Sequence, residues 1–110
     1  MTGPKRPTLY LSGAMTGLPL FNFPAFEAAA LELRALGYTV ATTAEGCEDT
    51  SKPWDWYMRR AIRMLLECDA VAVLPGWHES RGARLEVSIA LALGMRVTPV
   101  ECWKTEAAQG

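Results

Sequence analysis

The sequence has few of the residues and patterns that mark several large protein classes. It has 1 histidine and 3 cysteines, Cys47, Cys68 and Cys102, without C-x-x-C spacing, so a zinc site is not expected. The net charge of −1 is too small for a protein that coats nucleic acid. No apolar run approaches the roughly 20 residues that span a bilayer, and the start lacks a signal-peptide core. We therefore expect a cytoplasmic protein with reduced thiols, no metal or cofactor, and no membrane or nucleic-acid polymer as partner.

The apolar content is sufficient for one globular domain. The chain has 110 residues, of which 50% are hydrophobic and 21% charged. This composition argues against disorder, and the length suits a single domain, residues 1–110, with a core that needs no covalent or metal support.

Short apolar runs alternate with helical patterns along the chain. Strands are predicted at residues 9–11, 38–43, 70–74 and 95–100, and helices at 23–36, from Pro53, and at 80–93, with Asn22 and Ser80 as N-caps. Residues 104–110 are predicted to be a frayed tail. The alternating order predicts an α/β three-layer sandwich with a four- or five-stranded parallel sheet. Ligands of such sheets bind beyond the carboxyl ends of the strands, here loops 12–20 and 75–81.

The loop after the first predicted strand consists mainly of small residues. They are Ser12, Gly13, Ala14, Met15, Thr16 and Gly17. Small residues and glycines let backbone N–H groups approach a ligand closely. The spacing is neither that of a P-loop nor that of a dinucleotide fingerprint. A binding loop and a plain strand-to-helix turn explain the pattern equally well.

The start of the third predicted helix has the features of an anion site. Ser80 is a good N-cap, and Gly82 in the first turn costs roughly 1 kcal/mol of helix stability relative to alanine. A glycine here indicates that something approaches the backbone closely. Unpaired N–H groups and the helix dipole attract anions at this position, and Arg81 adds positive charge. Nearby Trp77 is either a core residue or a surface on which a base stacks.

Glu86 lies in an otherwise apolar stretch of the same helix. A carboxylate in such a place is either paired with an arginine or functional. The candidate partners are Arg81, Arg84 and the arginines of the second helix. The spacing alone leaves both interpretations open.

Together, four segments resemble the nucleoside 2-deoxyribosyltransferase-like superfamily, most closely its small bacterial and phage members. They are YLSGAMTG (10–17), NFPAF (22–26), YMRRAI followed by LLECDAVAVLPGW (57–77), and SRGARLEVSIALALG (80–94). The resemblance extends over about residues 8–101. It implies a flavodoxin-like sheet, a homo-oligomer, and cleavage or exchange of the N-glycosidic bond of 2′-deoxynucleosides or their 5′-monophosphates.

The resemblance also implies roles for individual residues. Glu86 matches the nucleophilic glutamate of the family, and Ser80 and Gly82 match its phosphate-binding positions. Residues 13–17 match the loop that encloses the deoxyribose and phosphate. The implied mechanism is that of a retaining glycosidase, in which a carboxylate forms a glycosyl-enzyme intermediate.

Two positions depart from the family pattern. Related enzymes carry an aspartate where this chain has Ala61, and a basic residue where it has Thr16. General acid catalysis contributes roughly 10²–10⁴-fold, so an N-glycosidase or deoxyribosyltransferase stands beside a noncatalytic nucleotide-binding or sensing module. A third hypothesis is an interaction protein that uses the apolar surface of residues 87–93.

Overall fold

The computed structural model describes residues 6–15, 22–43 and 52–109, which form four strands and four helices. The strands are β1 (Thr8–Ser12), β2 (Thr39–Ala41), β3 (Ala70–Val73) and β4 (Arg96–Pro99). The helices are α1 (Phe23–Ala35), α2 (Trp54–Leu66), α3 (Arg81–Ala92) and α4 (Val100–Gln109), and a short 3₁₀ helix spans Trp77–Glu79. Within these ranges, no helix has both the length and the apolar character needed to cross a membrane.

The strands form one parallel sheet in the order β2-β1-β3-β4. Leu9 of β1 lies opposite Val40 of β2 on one side and Ala70 of β3 on the other. The chain therefore moves from β1 to one side of the sheet and then crosses to the other side. The predicted α/β class and parallel sheet are confirmed, and of the four or five strands expected the described residues form four.

The two faces of the sheet are covered by different helices. Leu9 and Leu11 of β1 belong to a core cluster with Leu33 of α1 and Trp103 of α4. Tyr10, between them, belongs to a second cluster with residues of α2 and α3. This division follows from strand geometry, because successive side chains point to opposite faces. The molecule has three layers, compatible with a flavodoxin-like fold.

The C-terminal segment differs from its prediction. Residues 104–110 were expected to be a frayed tail, but the chain continues as α4 to Gln109. Val100, Trp103 and Ala107 are buried at helical spacing. Trp103 donates from Nε1 to the Val71 carbonyl at 3.1 Å, and its own carbonyl accepts from the Tyr38 hydroxyl at 2.9 Å. The tail prediction was wrong because polar residues between the three apolar positions hid their periodicity.

The predicted helix starts are only partly correct. Ser80 caps α3 as predicted, and its Oγ accepts from the Ala83 N–H at 3.2 Å. Asn22 is at the N-cap position of α1, but its side chain makes no cap. It has a left-handed φ of 62°, and its Nδ2 donates to the Ala14 carbonyl at 3.0 Å. Pro53 is the N-cap of α2 rather than its first helical residue.

The apolar stretch in the second half of α3 divides between core and surface. Val87 and Ala90 are buried against the sheet. Leu91 and Leu93 are 60% and 59% exposed. The surface expected at residues 87–93 is therefore confined to the outer side of the helix.

Candidate functional site

A cavity of about 170 Å³ lies at the carboxyl end of β1, between the first turns of α1, α2 and α3. Helices that connect parallel strands run back against them, so α2 and α3 both begin at this edge of the sheet. The chain also changes direction here, between β1 and β3. Open α/β sheets bind ligands at such a point. The cavity is therefore the candidate functional site.

The polar part of the wall brings together side chains from distant parts of the sequence. They are Tyr10, Ser12, Thr43, Tyr57, Ser80 and Glu86. Among the described residues of the wall, Glu86 is the one with a carboxylate. Its side chain is therefore the strongest nucleophile or base available to a ligand there.

The apolar part of the wall is rich in aromatic and flexible side chains. Its members include Met15, Phe23, Phe26, Trp54, Met58 and Ala61. Aromatic walls favour flat ligands, because ring faces stack and long polar chains gain little. The volume is below the roughly 300 Å³ typical of pockets that enclose drug-sized ligands. The cavity therefore suits a small ligand or one part of a larger ligand.

Two hydroxyl groups hold the Glu86 carboxylate. Tyr10 donates from Oη to Oε2 at 2.6 Å, and Ser12 donates from Oγ to Oε1 at 2.6 Å. Both donors project from the same face of β1 because they are two residues apart. Each carboxylate oxygen therefore accepts one hydrogen bond and keeps a lone pair for a ligand.

Hydroxyl groups rather than arginines surround Glu86. The residue is only 6% exposed. Among the described residues, the ion pairs join Arg96 with Glu106, and Lys104 with Glu32 and Glu101. None of these pairs includes Glu86. A carboxylate buried without a positive partner is costly for folding, and such groups are frequent at functional sites.

Burial has the largest effect on the pKa values of Glu86 and Tyr10. Burial raises the pKa of Glu86, although the bonds from Ser12 and Tyr10 act in the opposite direction. The pKa of Tyr10 is raised well above its ordinary value, first by burial and then by the charge of Glu86 and the hydrogen bond to that residue. A hydrogen bond with Thr43 lowers the Tyr10 pKa in part. Tyr10 therefore remains protonated and keeps donating to Glu86. The arrangement fixes the direction of the carboxylate.

Two glycines of the site are explained by packing within the protein. A Cβ at Gly82 would lie 3.1 Å from Sδ of Met58, and one at Gly13 would lie 2.9 Å from Cβ of Leu74. The group that approaches the Gly82 backbone is thus a side chain of α2. Gly82 therefore lets α2 and α3 pack closely beside the cavity.

The structure places six of the predicted site residues in the cavity wall. They are Ser12, Gly13, Met15, Ser80, Gly82 and Glu86. Ala14 is half-buried, and its carbonyl accepts from Asn22. Thr16 and Gly17 lie outside the described residues. In the loop after β1, Gly13 and Met15 thus line the cavity, and Ala14 between them does not.

The remaining two predicted residues lie around the cavity rather than in its wall. The guanidinium carbon of Arg81 is 3.8 Å from the centre of the Trp54 ring, on the indole that forms part of the wall. Trp77 packs against the core cluster of α2 and α3, with its ring edge-to-face to His78. Arg81 is therefore beside the part of the wall that Trp54 forms, and Trp77 belongs to the adjoining core.

Several residues of the wall were not predicted as site residues. They include Tyr10, Thr43, Trp54, Tyr57 and Met58. Tyr10 could have been found, because it shares a strand face with Ser12. The residues of α2 belong to the apolar stripe that was predicted to face the sheet. Periodicity identified their face correctly, but it does not distinguish a packed side chain from one that lines a cavity.

Among the described residues, no group of three or more His, Cys, Asp or Glu could hold a metal ion.

Comparisons with known proteins give a family but no activity. No functionally described protein matches the sequence significantly. Residues 7–99, which contain all four strands and the described cavity wall, match a domain of unknown function, DUF4406. The chain therefore belongs to the DUF4406 family.

Proposed function

We propose that this protein is an N-glycosidase or deoxyribosyltransferase that acts on 2′-deoxynucleosides or their 5′-monophosphates, with Glu86 as nucleophile. The observation that carries the proposal is the buried Glu86 carboxylate, aligned by Tyr10 and Ser12 in the wall of a cavity. The resemblance of the cavity-forming segments to nucleoside 2-deoxyribosyltransferases supports the substrate class. Among the described residues, none of the ion pairs includes this carboxylate, so a salt bridge among them does not explain its burial.

The proposed reaction has two displacement steps. A Glu86 oxygen forms a bond to C1′ of the deoxyribose while the C1′–N bond breaks, and the electron pair leaves with the base, which gains a proton. Water then attacks C1′, the ester bond to Glu86 breaks, and the carboxylate is restored as water loses a proton. In a transferase, a second base replaces water. Two inversions at C1′ give net retention.

The cavity supports a specific orientation of the substrate. With C1′ at Glu86, the base lies along the aromatic wall that Phe23 and Trp54 form. A 5′-phosphate then points toward the start of α3, where N–H groups and the helix dipole favour an anion. Arg81, stacked on Trp54, supplies a positive charge near the same place.

The test is release of free base from a panel of deoxynucleosides and deoxynucleoside 5′-monophosphates, followed by chromatography. We expect release by the wild-type protein and none by Glu86→Gln, which keeps the size of the side chain and one of its two acceptor oxygens but removes the charge. Glu106→Gln, on the exposed side of α4, serves as a matched control and retains activity. Absence of release above the Glu86→Gln background for every substrate contradicts the proposal.

A second function is favoured by Ala61. This residue lies in the cavity wall and is 3% exposed, at the position where the resemblance expects an aspartate that serves as proton donor. A protein without that group could bind nucleotides without cleaving them. Thermal shift with the same panel separates the two functions: stabilisation without base release supports a binding module, and no shift with any nucleotide contradicts it.

A further inference from the structure

We infer that Ser12 sets the lifetime of the ester that forms on Glu86, because the Ser12 hydroxyl holds the carboxylate oxygen that attacks C1′. This inference rests on the proposed function and deepens it. It makes Ser12 a positioning residue that acts through Glu86, and it gives Tyr10 a different role on the other oxygen.

Ser12 and Tyr10 approach the Glu86 carboxylate from different depths of the sheet. Ser12 is the last residue of β1 and lies opposite Val73, the last residue of β3. Tyr10 lies two positions earlier, opposite Val71, and two residues of a strand span roughly 7 Å. Ser12 is therefore the donor on the side of the carboxyl edge, where the cavity lies. Tyr10 is the donor on the side of the sheet interior.

The surroundings of the two donors agree with this difference in depth. Both line the cavity, but Tyr10 also belongs to the core cluster of α2 and α3, together with Val71. Ser12 is followed by Gly13, at which the chain leaves the sheet and which also lines the cavity. Oε1 of Glu86, which accepts from Ser12, is thus on the side from which a ligand at the edge of the sheet approaches.

The two oxygens of Glu86 change in different ways when the ester forms. The attacking oxygen shares an electron pair with C1′ as the C1′–N bond breaks, and it becomes a singly bonded ester oxygen without charge. The other oxygen becomes the ester carbonyl, which remains a good acceptor. Hydrogen bonds to a charged acceptor are about twice as strong as those to a neutral one. The bond from Ser12 to Oε1 is therefore strong in the carboxylate and weak in the ester.

Ser12 consequently favours the carboxylate over the ester. In the second step water attacks C1′ and loses a proton, the C1′–Oε1 bond breaks, and its electron pair returns to Oε1. The Ser12 hydroxyl stabilises this returning charge and so accelerates hydrolysis of the ester. In the first step the same hydrogen bond weakens, so it does not accelerate attack. Loss of the hydroxyl should lengthen the life of the ester and leave its formation nearly unchanged.

The experiment uses 7-methyl-2′-deoxyguanosine 5′-monophosphate, whose base carries a positive charge and leaves as a neutral molecule. Because this base needs no proton to leave, we expect hydrolysis of the ester to limit turnover. Ser12→Ala should lower kcat about tenfold and KM in proportion, and so leave kcat/KM within about twofold. After removal of substrate, intact-protein mass spectrometry should show the 2-deoxyribose 5-phosphate adduct decaying about tenfold more slowly than in the wild type.

Three further variants make the test specific. Ser12→Cys keeps a weaker donor, should fall between the wild type and Ser12→Ala, and carries the test if Ser12→Ala does not fold. Tyr10→Phe leaves the direction of the carboxylate less fixed, so it should lower kcat/KM and slow decay of the adduct less than Ser12→Ala does. Ser88→Ala, a change at an exposed serine of α3, should match the wild type.

Two results would overturn the role of Ser12 and leave the proposed function standing. One is slower decay of the adduct in Tyr10→Phe than in Ser12→Ala, which would exchange the roles of the two oxygens. The other is a loss of kcat/KM in Ser12→Ala as large as its loss of kcat, which would mean that the hydroxyl serves formation of the ester. A wild-type protein that releases base from neither this substrate nor the panel contradicts both proposals.

Discussion

The two faces of the sheet use the same strand for different purposes. On the side of α1 and α4, Leu9 and Leu11 are packed into a closed apolar core. On the side of α2 and α3, Tyr10 and Ser12 point to Glu86 and a cavity. On the first face, the Tyr38 hydroxyl donates to the Trp103 carbonyl and the Trp103 indole donates to the Val71 carbonyl, and both hydrogen bonds connect different elements. The first face is packed throughout, whereas the second combines an apolar cluster with the candidate site.

The largest expected effect is a loss of stability on the face of the sheet that α1 and α4 cover. Replacing Trp103 with alanine should lower the free energy of unfolding by about 3–5 kcal/mol, because it leaves a cavity and removes the bond to the Val71 carbonyl. Trp54→Ala, in the wall of the existing cavity, should cost less than half as much. Chemical denaturation of both variants measures the difference. Equal losses would show that the two faces contribute alike to stability.

The two glycines at the site should respond differently to alanine. At Gly13 the added Cβ meets the buried Cβ of Leu74, so we expect a loss of about 1–3 kcal/mol. At Gly82 it meets the end of the flexible Met58 side chain, and the gain in helix propensity, about 1 kcal/mol, offsets the contact. Thermal unfolding should therefore show a much smaller change for Gly82→Ala. The reverse order would mean that α3 cannot move away from α2.

Glu86→Gln should stabilise the protein while abolishing base release. Because burial raises the pKa of Glu86, its contribution to stability is present at acidic pH and is lost as the pH rises through that pKa. The glutamine side chain does not ionise, so the variant does not lose stability as the pH rises. We expect the variant to be more stable near neutral pH by about 0.5–2 kcal/mol, as when other functional groups that are unfavourable for folding are replaced. At pH values below the usual glutamate range, the two proteins should unfold at similar temperatures.

That pH dependence is measured by thermal unfolding of both proteins across a pH series. Glu106→Gln, an exposed change, should follow the wild type closely. A Glu86→Gln variant that is less stable at every pH would instead show that the carboxylate supports the fold.

The smallest expected effect concerns Arg81. If its charge beside Trp54 favours a 5′-phosphate, Arg81→Ala should raise KM for a deoxynucleoside 5′-monophosphate about two- to fivefold and leave KM for the nucleoside unchanged. Steady-state kinetics on both substrates measure the ratio. Arg84→Ala, one turn further along the exposed side of α3, is the control. Equal effects on both substrates would assign Arg81 to the packing of Trp54 alone.

Local patterns predicted most of the fold. Apolar runs and helical periods located the four strands and three of the four helices within about two residues, because burial on a sheet imposes those periods. The fourth helix was missed because its buried face contains only Val100, Trp103 and Ala107. Asn22 was predicted as a capping residue, but its bond to Ala14 depends on a loop whose path the sequence does not specify.

The candidate site was predicted less completely than the fold. Glu86 could be singled out because a charge in an apolar helix conflicts with its surroundings. Its partners Tyr10 and Ser12 come from a strand more than seventy positions earlier, and no local pattern links them to the helix. The small loop residues indicated the correct edge of the sheet. Which side chains leave a cavity between them depends on how the helices pack, and this emerged only with the structure.

The bond between Asn22 and Ala14 has a consequence for how the family can change. It joins the chain leaving β1 to the residue that precedes α1. A doubling of such a connection costs only about 0.6 kcal/mol of closure entropy. Residues on either side of this connection, Met15 and Phe23, line the cavity. A longer segment between Met15 and Asn22 should therefore change what surrounds the cavity and leave the sheet and Glu86 in place.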